Sequence, residues 1–135
     1  MDEWTLSKVK KDNGDFWITR KNLYPVSEKE NKDKYKYCTY LTCHYKPSTE
    51  EGFPSAQDND AFEKIENEIA TLCDGKHSVF VATAFMPKLK DFIIYTSNYD
   101  EISDLIEPII KDYGQFKVEF GGHEDPAWKQ YDSFS

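Results

Sequence analysis

An α+β fold is predicted by three features of this 135-residue chain: strand-type alternation at residues 35–46, helical spacing of apolar residues at 55–74 and 99–113, and paired β-rich runs separated by turn residues. From residue 35 onward the order reads strand, helix, strand, strand, helix, strand. That is the split βαβ, or ferredoxin-like βαββαβ, order, an antiparallel sheet with two helices on one face, here preceded by a β-hairpin. In this topology the first and third strands are central. Residues 35–46 and 91–96 are therefore expected to be paired on both sides, with the hairpin extending an edge or folding over it. The chain divides as a single domain: an N-terminal hairpin over 1–23, a charged loop over 24–34, the βαββαβ core over 35–122 and a C-terminal aromatic segment over 123–135.

Each element has a local cause. "DNGD" separates strand-like runs at 4–11 and 16–23, and Asn-Gly is a strong hairpin signal because both residues tolerate positive φ. "SEKENKDK" mixes charges with no apolar residue, as a solvated loop does. In "YKYCTYLTCHYK", Tyr37, Leu41, Cys43 and Tyr45 fall on one face and Lys36, Tyr40, Thr42, His44 and Lys46 on the other. After the breaker "PSTEEGFPS", Phe62, Ile65, Ile69, Leu72 and Cys73 recur at helical spacing. Ser55 is placed to cap that helix, Asp58 to favour its first turn and Gly75 to stop it. "HSVFVATAF" and "DFIIYT" form a second hairpin around "MPKLK". Ile102, Leu105, Ile106, Ile109, Ile110 and Tyr113 make a second helical stripe, in which Pro108 predicts a kink or an early break. "QFKVEF" reads as the last strand, ended by Gly121 and Gly122. In the terminal "GGHEDPAWKQYDSFS", Asp125 and Pro126 start a short helical turn on which Trp128 and Tyr131 share a face, packed on the body of the domain.

Composition narrows the function. Three cysteines, Cys38, Cys43 and Cys73, are an odd number without metal-ligand spacing, and read as buried free thiols. No run approaches the ~18 apolar residues of a membrane span, and the opening "MDEWTLSKVKKDNG" lacks a signal-peptide core, so a cytoplasmic protein is expected. The net charge of −8 is concentrated. Asp58, Asp60, Glu63, Glu66, Glu68 and Asp74 stand against Lys64 in the first helix region, and Asp100, Glu101, Asp104, Glu107 and Asp112 against Lys111 in the second, leaving the remainder at +1. Helices on one face would then form an acidic layer over a nearly neutral, aromatic-rich sheet. That layer repels phosphate backbones and attracts basic partners, or serves solubility alone.

Catalytic chemistry finds little purchase. Cys43 and His44 are strand neighbours and point apart. Cys73 and His77 flank "DGKH" without a third group to orient the histidine. "HED" at 123–125 has metal-capable residue types, but no second cluster joins it, and no metal or other cofactor is expected. Base stacking on the sheet is disfavoured because Phe92 and Tyr95 point to opposite faces and the glycines of the RNA-recognition pattern are missing.

"YKPSTEEGFPS" after a Tyr-rich strand, a helix followed by "VFVATAF" and "FIIYT", and the terminal "EDPAWKQY" resemble the bacterial family catalogued as domain of unknown function 695. The resemblance covers residues 35–131 and is carried by Gly52, Pro54, Tyr95, Asp125, Pro126, Trp128 and Tyr131. "AFMPKLKDF", with Pro87 and no glycine, departs from the family's expected hairpin. The resemblance implies no established activity. It is similar in element order and acidic character to the regulator of ribonuclease E activity B, which inhibits by binding an enzyme.

Two functional readings follow. The first is a non-enzymatic, regulatory protein-binding module using Glu63, Glu66, Glu68, Asp104 and Glu107 of the acidic helices. The second is a small-molecule binder or enzyme with a pocket between the sheet and the C-terminal segment, at Tyr95, His123, Asp125, Trp128 and Tyr131. An apolar open sheet face would also let two copies pair.

Overall fold

The structure, a computed structural model, describes residues 3–11, 14–22, 33–48, 54–73, 77–86 and 88–132. Its elements are β1 (Glu3–Lys11), β2 (Gly14–Asn22), β3 (Tyr37–His44), α1 (Ala56–Leu72), β4 (Ser78–Met86), β5 (Leu89–Thr96), α2 (Tyr99–Asp112), β6 (Lys117–Glu124) and α3 (Lys129–Asp132). The strands form one antiparallel sheet in the order β1-β2-β4-β5-β3-β6. From β3 to β6 this is the βαββαβ order. β3 is paired with both β5 and β6, and β5 lies between β3 and β4, so the two expected strands are central. The N-terminal hairpin extends the sheet by pairing β2 with β4, from Trp17↔Phe85 to Arg20↔Ala82.

Turn and cap chemistry account for most boundaries. β1 and β2 close at Lys11↔Gly14, so Gly14 already belongs to the ladder, while Asp12 and Asn13 lie outside the described residues. In the second hairpin Met86 pairs with Leu89, and Lys88 takes the positive φ of 76° that glycine would usually supply. The Lys88 carbonyl accepts from the Tyr45 N–H at 3.0 Å, which ties that turn to the end of β3. Ser55 caps α1 by accepting from the Asp58 N–H, and Asn98 caps α2 by accepting from the Glu101 N–H, each at 3.1 Å. The expected stop at Gly75 lies outside the described residues.

Several boundaries differ from the sequence reading, three of them at informative places. Of the kink or early break expected at Pro108, the early break does not occur, because α2 continues to Asp112. Ile102, Ile106 and Ile109 are buried on its inner side while Pro108 is exposed, so packing outweighs the one lost backbone bond and water can reach the carbonyl left without a donor. Nor do the paired glycines end β6, which runs on through Gly121 and Gly122 to Glu124 and brings His123 and Glu124 opposite Cys38 and Tyr37. A Cβ at Gly122 would collide with the Cys38 carbonyl oxygen and come within 2.9 Å of Thr39 Cγ2, so glycine here permits a close approach of strands. Finally, the terminal helix begins at Lys129. Asp125 to Trp128 form a turn closed by Trp128 N–H donating to the Asp125 carbonyl at 3.0 Å.

The sheet carries a core on each face. On one, Leu41, Cys43, Tyr45, Phe80, Phe92 and Ile94 meet Phe62, Ile65 and Ile69 of α1 and Ile102, Ile106 and Ile109 of α2. On the other, Cys38, Val79, Val81, Ala82, Ala84, Ile93 and Tyr95 meet Tyr35, Trp128 and Tyr131. A bulge between Phe80 and Ala82 turns Val81 onto the second face beside Val79 and Ala82. Both helices lie on the first face, as the fold requires.

Candidate functional site

The second face is closed by a short aromatic segment that depends on one carboxylate. Asp125 leaves the end of β6 with its N–H donating to the Lys36 carbonyl at 2.7 Å. Its side chain, 6% exposed, then collects three donors: Tyr95 hydroxyl at 2.7 Å and the backbone N–H groups of Lys129 and Gln130 at 2.9 Å each. It therefore serves as the cap of α3 across the intervening turn. Burial resists its ionisation, but the Gln130, Tyr95 and Lys129 donors together hold its carboxyl below the usual carboxylate range.

Trp128 is the anchor. It is 0% exposed, stacks on Tyr95 with ring centroids 4.1 Å apart, touches Tyr131 at 5.3 Å, and donates its indole N–H to the Tyr35 carbonyl at 2.7 Å. Its φ of 56° is left-handed, which costs on the order of 1 kcal/mol in a non-glycine residue. The Tyr131 N–H closes the circuit by donating to the Tyr95 hydroxyl at 3.1 Å. Tyr95, buried and already donating to Asp125, has its phenol pushed well above the ordinary range.

Tyr95, Asp125, Trp128 and Tyr131, which the second sequence reading placed around a pocket, are thus brought together, and the indole fills the space between them. His123 stands outside this packing, exposed and stacked on Tyr40 at 5.9 Å. Phe92 and Tyr95 do face opposite sides of the sheet, and both are fully buried. Burial pushes the Cys38 thiol up to about 11 and the Cys43 thiol up to about 12, the reverse of what a nucleophile needs. Among the described residues, no three His, Cys, Asp or Glu side chains are grouped to hold a metal ion.

The same face sets Asp91 and Glu119 beside the Thr42 and His44 that alternation in β3 points there. Thr42 donates to Asp91, and His44 reaches Glu119 at 3.4 Å. Burial raises the Asp91 carboxyl despite the Thr42 bond. Alternation could place Thr42 and His44 on this face, but only strand register sets Asp91 and Glu119 beside Thr42.

The opposite side of the molecule presents a concavity. Between α1 and α2 lies a groove of about 500 Å³, lined by Asn67, Glu68, Thr71 and Leu72 from α1 and by Asp104, Leu105, Pro108, Ile109 and Asp112 from α2. Of the acidic residues named in the sequence, Glu68, Asp104 and Asp112 line it, and burial together with the nearby Glu68 carboxylate raises the Tyr113 phenol. Glu63 is exposed on α1 away from it, Glu66 is half-buried near Lys90, and Glu107 pairs with Lys111 at 3.3 Å. Leu105 is the one large apolar side chain counted as exposed among the described residues, at 36%. Its stripe on α2 is wider than one packing face, and Leu105 sits at the margin.

The chain belongs to the family of unknown function DUF695, which it matches over residues 2–134. No curated protein and no solved structure matches it.

Proposed function

We propose that this member of the family is a non-enzymatic protein-binding module that regulates a partner by docking it on the helical layer. The observation that carries the reading is the groove of about 500 Å³ between α1 and α2, with the Glu68, Asp104 and Asp112 carboxylates in its lining. The exposed carboxylates of the two helices add an electrostatic surface around it, which steers basic partners and discourages nucleic acid. The contrast with the other face supports the same choice, since Trp128 occupies the room that a small-molecule pocket among Tyr95, Asp125 and Tyr131 would need. A non-enzymatic role also agrees with thiols held protonated by burial. Free cysteines at 38, 43 and 73 fit a reducing compartment, so cytoplasmic action is part of the reading.

The likeness in element order to the regulator of ribonuclease E activity B supports an inhibitory role by analogy alone, because a fold does not fix a function. The test is affinity capture from the native cell with the wild-type chain and with Glu63, Glu66 and Glu68 changed to Lys. A partner retained by the wild type, lost by the reversed variant and released as salt rises is the expected result. Partners that ignore both the reversal and the salt would refute docking through this layer.

A further inference from the structure

Resting on that reading, the lining of the groove states what kind of segment it takes. Its apolar lining is built from Leu72, Leu105, Pro108 and Ile109, of which Leu105 and Pro108 are exposed. Its polar groups are almost all acceptors. Glu68, Asp104 and Asp112 contribute carboxylates, and no lysine or arginine is among the lining residues. The Thr71 hydroxyl donates to the Asn67 carbonyl at 3.0 Å, so its proton is already engaged. Pro108 lacks an N–H, which leaves the Asp104 carbonyl without its intrahelical donor on the stripe that lines the groove. An apolar trough edged with solvent-facing acceptors selects a ligand that carries both hydrocarbon and positively charged N–H donors.

Its length points to a polypeptide segment. The lining residues of α2 span 104–112 and those of α1 span 67–72, which at the helical rise is about 12 Å and about 8 Å of groove. That is room for about two turns of a partner helix laid between two helices, the geometry by which amphipathic helices are commonly held. We infer that the groove between α1 and α2 binds a cationic amphipathic segment of a protein partner, with apolar side chains against Leu105, Pro108 and Leu72 and Lys or Arg donors on Asp104, Asp112 and Glu68.

The probe is a fluorescein-labelled amphipathic peptide of leucine and lysine, compared with the same peptide carrying glutamate for lysine, followed by anisotropy. The Leu/Lys peptide is expected to bind the wild type saturably, and the Leu/Glu peptide is not. Leu105→Gln, which leaves the net charge unchanged, and the pair Asp104→Asn with Asp112→Asn are each expected to weaken binding by about tenfold. Glu124→Gln, which alters an exposed carboxylate at the end of β6 and on neither helix, is expected to leave it unchanged. No binding of the Leu/Lys peptide, equal binding by Leu105→Gln and wild type, or equal affinity for the Leu/Glu peptide would each overturn the inference. If a charge-dependent partner is captured from cells but the Leu/Lys peptide does not compete with it, the inference falls and the docking reading stands. If the peptide binds through Leu105 and no charge-dependent partner is captured, the groove's preference stands and the docking reading falls.

Discussion

On the helical side of the sheet, α1 and α2 bury Phe62, Ile65, Ile69, Ile102, Ile106 and Ile109 in one continuous apolar layer, whereas on the other side residues 125–132 bury Trp128 and Tyr131. The first closure is spread over many side chains of similar size. It tolerates an imperfect fit between two cylinders and leaves a groove between them. The second is concentrated in one indole and one carboxylate, each with specific partners. The difference teaches where change is tolerated: a layer with shared load can vary at its outer surface, whereas a closure built on one anchor cannot lose it.

The most severe break of this contrast is Trp128→Ala. Removing a fully buried, stacked and hydrogen-bonded indole is expected to cost about 3–5 kcal/mol, read as a lower midpoint in urea unfolding. Tyr95→Phe comes next, at about 1–3 kcal/mol, because Asp125 loses a donor and the Tyr131 N–H loses its acceptor while the ring stays in place. Gly122→Ala belongs in the same range of about 1–3 kcal/mol, since the added methyl meets the backbone of β3. An effect near zero for Trp128→Ala or Tyr95→Phe would show that the concentrated closure carries less of the stability than its geometry says.

Two carboxylates on the second face sharpen the comparison through pH. The folded Asp125 carboxyl lies below the ordinary 3.8, so its stabilisation is complete above that value and is lost as pH falls through the folded one. The folded Asp91 carboxyl lies above 3.8, mainly through burial, so it favours the folded state most when protonated and the advantage is lost as pH rises through its folded value. Asp125→Asn should therefore flatten the acid limb of a stability-against-pH curve. Asp91→Asn should stabilise more at neutral pH than in acid. The smallest expected effect on stability is that of Leu105→Gln on the helical side, within about 0.5 kcal/mol by the same unfolding measurement.

Much of this division was legible in the residues. Alternation in β3 separated Leu41, Cys43 and Tyr45 from Tyr40, and their assignment to the two cores follows it. Ser55 was recognisable as a cap because a hydroxyl before an apolar helical stripe satisfies an otherwise orphaned N–H. The buried aromatic anchor was legible too, since Trp128 and Tyr131 stand three residues apart behind Asp125 and Pro126. The site itself was less so. Glu68, Asp104 and Asp112 were identified by charge, but Asn67, Thr71, Leu72, Leu105, Pro108 and Ile109 line the same groove for a reason that no single stripe contains: they come from two helices whose separation is set by the sheet beneath.

Sequence alone determined the element order, the Ser55 cap, the two faces of the central strand and the aromatic character of the terminal segment, because each depends on periods of two or 3.6 residues or on contacts a few positions apart. Only the tertiary structure decided that α2 runs through Pro108, that Gly122 belongs to a strand rather than ending one, that Asp125 answers to Tyr95, and that a groove opens between α1 and α2. Those outcomes rest on groups 30 or more residues apart, such as the Trp128 indole and the Tyr35 carbonyl, and on packing energies that override a local preference worth a few kcal/mol.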